Sequence, residues 1–82
     1  MNKILAFTAK WCGPCQNMKM NVLGDFDPTV VIQYDIDVHD EMTKQYKINA
    51  IPTFVVLNED GAEIDRFQGV HPASKFFEYL SE

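Results

Sequence analysis

The run Cys12-Gly13-Pro14-Cys15 constrains this chain more than any other feature, because it lies between an apolar stretch with strand character and a stretch with helical periodicity. Lys3 to Thr8 is short, apolar and bounded by polar residues, as a buried strand requires. Beyond the run, Cys15, Met18, Val22 and Leu23 recur at the spacings of an amphipathic helix that Gly24 and Asp25 would end. Pro14 suits the first helical turn, where a missing N–H costs nothing. Cys12 would then sit at the helix N-terminus, where unpaired N–H groups and the positive end of the dipole stabilise a thiolate. Lys10 adds positive charge beside it, and Cys15 lies one turn along, facing the first sulfur.

The remaining elements follow from the same patterns. Thr29 to Ile36 is β-branched and nearly continuous in apolar character, which predicts a strand covered on both faces. Asp40 is placed to cap a short helix through about Tyr46, with Met42 and Tyr46 on one face. Thr53 to Leu57 is another apolar strand, and Asn58-Glu59-Asp60-Gly61 turns it into Glu63 to Gln68. Ile64 and Phe67 have opposite parity there, which predicts an edge strand with a bulge or bend. Pro72 opens a last helix whose buried stripe would be Ala73, Phe76, Phe77 and Leu80. Met18, Val22, Phe54 and Phe76 are expected in the core. The order β-α-β-α-β-β-α makes an α/β fold with a four-stranded mixed sheet and helices on both faces.

At 82 residues the chain is expected to form one domain, 1–82, with no visible linker or repeat. Twelve acidic against seven basic side chains argue against nucleic acid or an anionic membrane as partner. The first apolar stretch, Ile4 to Phe7, is far short of a signal-peptide core or a membrane span. A cytoplasmic location is the expectation, and two cysteines are too few for the disulfide framework of a small secreted domain.

Three readings of the cysteine pair stand side by side. As a structural disulfide, so small a loop would contribute only about 2 kcal/mol. As half of a metal site it would need two more ligands, and only the isolated His39 and His71 are candidates. Both histidines are most simply solvated residues at helix starts, and Asp35, Asp37, Asp40 and Glu41 a solvated acidic face. The third reading is a dithiol that opens and closes reversibly.

Trp11-Cys12-Gly13-Pro14-Cys15 resembles the active-site signature of thioredoxins, and Ile51-Pro52-Thr53 resembles the family segment that carries a cis-proline opposite the cysteines. Asp35-Ile36-Asp37, Tyr46-Lys47-Ile48, Phe54-Val55-Val56-Leu57, Gly61 and Gly69 follow in the family's order, so that the resemblance covers nearly the whole chain. It implies a monomeric thiol-disulfide oxidoreductase in which Cys12 attacks a target disulfide and Cys15 resolves the mixed disulfide. Lys10 would stabilise the thiolate. Trp11, Gly13, Pro14, Ile51, Pro52, Gly69 and Val70 would form the groove for an extended target segment. No bound cofactor or metal is implied. Electrons would come from NADPH through a thioredoxin-reductase-type flavoenzyme and pass to disulfide-containing proteins, ribonucleotide reductase among the candidates.

Two alternatives remain beside it. One is a glutaredoxin-like, glutathione-dependent reductant, against which Ile51-Pro52-Thr53 and the lone Gly69 argue. The other is a non-catalytic binding subunit that uses the groove as a docking surface.

The chain departs from the family in two ways. Typical members carry a buried aspartate six residues before the first active-site cysteine, paired with a lysine in the next strand; here these positions are Ala6 and Gln33. Typical members are also about a quarter longer, the difference lying before Lys3, where an extra strand and helix would stand.

Overall fold

A computed structural model of the chain describes residues 1–81. Strand β1 (Lys3–Thr8) leads through helix α1 (Gly13–Asn21) to β2 (Val31–Asp35), and helix α2 (Asp40–Gln45) leads to the hairpin of β3 (Thr53–Leu57) and β4 (Glu63–Gln68). Helix α3 (Ala73–Leu80) closes the described chain. Among the described residues the sheet has four strands in the order β2-β1-β3-β4, with β1 parallel to β2 and antiparallel to β3. The sequence-based order and strand count are therefore met.

Period-two alternation divides the core between the two faces of the sheet. Ile4, Ala6, Val31, Phe54 and Val56 point to one side, where Met18, Val22 and Leu23 from the α1 segment and Phe76 from α3 bury themselves against them. Leu5, Phe7 and Val55 point to the other and are covered by Met42 and Tyr46 from the α2 segment. The expected core residues Met18, Val22, Phe54 and Phe76 are all buried.

Ile64 is the extra residue on β4: Val56 pairs with Asp65 and Leu57 with Glu63, so the parity change is a bulge. The hairpin turn is held by Asn58, whose side-chain oxygen accepts the N–H groups of Asp60 and Ala62 at 2.9 and 3.0 Å. Gly61 follows at φ 82°, a left-handed conformation that favours glycine.

Four expectations need correction. Strand β2 runs from Val31 to Asp35 and lies at an edge, so only Val31 is fully buried and Gln33 is exposed. A continuous apolar run does not distinguish a central strand from an edge strand next to a central one. Helix α1 ends at Asn21, and Leu23–Asp25 form a separate 3-10 turn containing Gly24. Asp40 does not cap α2; His39 occupies the cap position without a side-chain bond, and Asp40 is the first helical residue, paired with Lys44 at 3.0 Å. Phe77 is 58% exposed, because α3 turns a single narrow stripe centred on Phe76 toward the sheet and leaves Phe77 to lie against Phe26 at 5.0 Å.

Candidate active site

The C-terminal end of β1 delivers the chain into a tight turn in which the Cys12 N–H bonds to the Ala9 carbonyl at 3.2 Å. Gln16 reaches back from α1 and donates its side-chain amide to the Lys10 carbonyl at 3.1 Å, fixing the same turn from the helix side. Cys12 is the N-cap residue of α1, with extended backbone angles, and its carbonyl accepts the Gln16 N–H at 3.1 Å. Pro14 falls in the first turn, where no intrahelical donor is needed.

The Cys12 Sγ accepts the Cys15 backbone N–H at 3.3 Å, so one orphan donor of the helix terminus points at the sulfur. Cys12 and Cys15 are joined as a disulfide, with Cα atoms 5.2 Å apart, inside the range such bridges occupy. The two cysteines differ in exposure. Cys12 is 8% exposed and Cys15 is fully buried, packed with Ala9 beneath the surface.

Across from the cysteines, the Ile51–Pro52 peptide bond is cis. The Thr53 hydroxyl donates to the Ala50 carbonyl at 2.6 Å and closes the turn around that bond. Ile51 packs against the cysteine cluster, and the Pro52 carbonyl accepts the Gly69 N–H at 3.0 Å, which ties the segment to the end of β4. Gly69 has φ 88°, in the left-handed region. Val70, next to it, is 56% exposed.

Trp11 is 69% exposed, so it is not a core residue. Its indole N–H donates to the Asp37 carboxylate at 2.9 Å. Asp37 is presented by a turn in which the Asp35 side chain accepts the Asp37 N–H, and the Asp35 carbonyl accepts those of Val38 and His39. A cavity of about 180 Å³ lies beside the indole, lined by Trp11, Ile36, Ile48, Asn49, Ala50 and Ile51.

The structure thus brings Trp11 and Ile51 to one cavity, while Pro52 and Gly69 are joined through the backbone. Gly13 and Pro14 lie exposed at the start of α1. Lys10 is exposed in the turn before Cys12, and its backbone carbonyl is the part seen to bond. Sequence reasoning misses Ile36, Ile48, Asn49 and Ala50 as cavity walls, and it misses Asp37, one of the solvated acids, as the partner of Trp11. His71 is not simply solvated either: its ring is half-buried edge-on to Phe67, with Nε2 2.8 Å from the Gln68 carbonyl oxygen. Among the described residues no three His, Cys, Asp or Glu side chains come together in a way that could hold a metal ion. Ala6 and Gln33 face each other in the β1–β2 register, so the two positions of the missing charge pair are neighbours. No described helix is long and apolar enough to cross a membrane.

A mixed four-stranded sheet with a Cys-x-x-Cys disulfide at a helix cap and a cis-proline beside it defines a thioredoxin-like fold. The thioredoxin family model matches residues 2–82, and the chain belongs to the thioredoxin family. It is 35% identical over 82 residues to the chloroplastic thioredoxin Y2 of Arabidopsis thaliana, covering 94% of this chain and 48% of that protein. It is 30% identical over 84 residues to the thioredoxin of Staphylococcus epidermidis, covering 98% of this chain and 80% of that one. The X-ray structure of Fasciola hepatica thioredoxin superposes with a TM-score of 0.74 at 34% identity, covering 98% of this chain and 78% of that chain. The chain spans about half the length of several curated relatives it matches, including both Arabidopsis thioredoxins Y1 and Y2.

Proposed function

We propose that the chain is a thiol-disulfide oxidoreductase that reduces protein disulfides. The observation that carries this reading is the unequal placement of the two cysteines, Cys12 at the helix cap and 8% exposed, Cys15 fully buried one turn along. In the reduced form the Cys12 thiolate attacks one sulfur of a target disulfide; a mixed disulfide forms and the other target sulfur leaves as a thiolate that takes up a proton. Cys15 then gives up its proton and attacks the Cys12 sulfur. The Cys12–Cys15 bond forms, the second target sulfur leaves, and two electrons have passed to the target.

The N–H of Cys15, aimed at the Cys12 sulfur, supports the thiolate, as does the dipole of α1. Lys10 adds positive charge in the same turn. Trp11, Gly13, Pro14, Ile51, Pro52, Gly69 and Val70 form the groove along which an extended target segment lies, and the Ile51 backbone next to Pro52 pairs with it. With Ala6 and Gln33 in place of a buried acid and its lysine, Cys15 loses its proton to water or to the departing thiolate.

NADPH, through a thioredoxin-reductase-type flavoenzyme, is the proposed electron source, disulfide-containing proteins are the targets, and a reducing compartment such as the cytoplasm is the setting. Ribonucleotide reductase is a target to test by name. The test compares reduction of insulin disulfides with NADPH plus thioredoxin reductase against glutathione plus glutathione reductase. Turnover with the first system alone supports the reading. Turnover with glutathione alone makes the chain a glutaredoxin-like reductant, and turnover with neither favours a docking role.

A further inference from the structure

Val70, one of the residues of the proposed groove, lies between two backbone anchors. On one side the Gly69 N–H bonds to the Pro52 carbonyl at 3.0 Å. On the other the His71 N–H points at the thioether sulfur of Met18, 3.4 Å away. Met18 lies on α1 three residues after Cys15, so both are on the inward face of that helix, and Met18 is fully buried.

We propose that Met18 is a positioning residue that fixes the groove wall relative to the active-site helix by accepting the His71 N–H. The backbone carbonyls in the middle of a helix already accept from the next turn and point along the helix axis, so a side chain is the acceptor best placed to reach inward to a loop. A leucine at 18 would fill nearly the same space but accept nothing. The sulfur therefore adds a directional link that packing alone lacks. The His71 side chain is anchored separately, to the Gln68 carbonyl and the Phe67 ring, and both contacts lie within the β4 end itself. They hold the loop to its own strand. Only the thioether bond among these contacts reaches from the His71 backbone to the helix that carries both cysteines.

The inference rests on the proposed reductase reading, since a groove wall matters to catalysis only if targets lie along it. Its consequence is a split between two substrates. A small disulfide such as DTNB reaches the Cys12 sulfur without filling the groove, whereas insulin must lie along it.

The test uses Met18→Leu in the whole chain. The pre-reduced protein is mixed with DTNB, and separately insulin is reduced with dithiothreitol as electron source. The expected result is a DTNB rate within about twofold of the parent and an insulin KM raised about three- to tenfold at similar kcat, the range one weak hydrogen bond commands. Selenomethionine at position 18, which keeps a chalcogen acceptor, should leave the insulin KM at the parent value. Equal insulin KM for parent and Met18→Leu overturns the proposal. A parent protein inert toward DTNB overturns the reductase reading instead, so the two failures are distinguishable. Amide hydrogen exchange of the parent provides a check that needs no variant. His71 should exchange at least about tenfold more slowly than the amide of Val70, a residue that is 56% exposed, and an unprotected His71 amide overturns the proposal even if Met18→Leu does not fold.

Discussion

The indole N–H of Trp11 is bonded to the Asp37 carboxylate, 2.9 Å apart and 26 residues distant in sequence, which ties the residue before the first cysteine to the loop between β2 and α2. An exposed indole would otherwise sample several rotamers. The bond to the carboxylate favours the one in which Trp11 lines the cavity with Ile36, Ile48 and Ile51. Asp37→Ala is expected to raise the KM for insulin about two- to fivefold, a modest effect because the bond is solvent-exposed, and to change the emission of Trp11, the chain's one tryptophan. Steady-state kinetics and fluorescence check this; unchanged KM and spectrum would show that the bond positions nothing.

Ala6 is fully buried and faces Gln33 across the β1–β2 ladder, and among the described residues no carboxylate is buried. Ala6→Asp should destabilise the fold by about 3 to 5 kcal/mol near neutral pH, because the new charge has no partner. Burial would raise the folded-state pKa of that carboxyl above its unfolded value, so the penalty grows as pH rises from the unfolded value through the folded one. Urea denaturation of the parent and the variant between pH 4 and pH 8 measures it. A constant difference across that range would contradict the argument.

Phe76 and Phe77 are adjacent in sequence yet separate sharply in environment. Phe76 is fully buried, with the Phe54 and Phe67 rings at 5.0 and 5.3 Å. Phe76→Ala should cost about 3 to 5 kcal/mol and Phe77→Ala less than about 1.5 kcal/mol, read from chemical denaturation. Equal losses would mean that α3 is rotated from the orientation described.

Several carboxylates lie below their ordinary range. The Tyr79 hydroxyl, and then the Arg66 N–H, hold the Asp65 carboxyl down. Arg66 does the same to Glu63 through bonds at 2.6 and 2.8 Å, and the Thr29 hydroxyl and N–H lower Asp27. A folded pKa below the unfolded one adds stability that is present above the unfolded value and lost as pH falls through the folded one. The denaturation midpoint should therefore drop as pH is lowered from about 5 toward 2, the unfolded carboxyl values lying near 4. Asp65→Asn should flatten part of that slope. A midpoint that stays level over this range would contradict the assignment.

How far the sequence reaches depends on whether a signal is local. β1 and β3 could be placed because short apolar runs were bounded by polar or turn residues, β4 because the turn signal Asn58 to Gly61 sends the chain back along β3, and the Ile64 bulge showed as a break in parity. Cys12 could be placed at the helix entry because Gly13-Pro14 leaves the chain little choice. The edge position of β2 was hidden, since an apolar run does not say which strand lies beyond it. Phe77 was misplaced because its hydrophobicity was counted without the helix rotation that sends its neighbour inward. Asp37 looked like any loop acid until folding brought it to Trp11, and the bond between Met18 and His71, 53 residues apart, leaves no pattern in the sequence at all.

The central claim, that Cys12 is the attacking thiol and Cys15 the resolving one, is tested most directly by trapping. The pre-reduced Cys15→Ser variant, incubated with a protein disulfide such as insulin, should accumulate a mixed disulfide on Cys12 that dithiothreitol releases. The pre-reduced Cys12→Ser variant should accumulate little under the same conditions, because Cys15 is buried. Peptide mass mapping that finds no adduct on Cys12, or an equal yield on Cys15 in the second variant, would contradict the account.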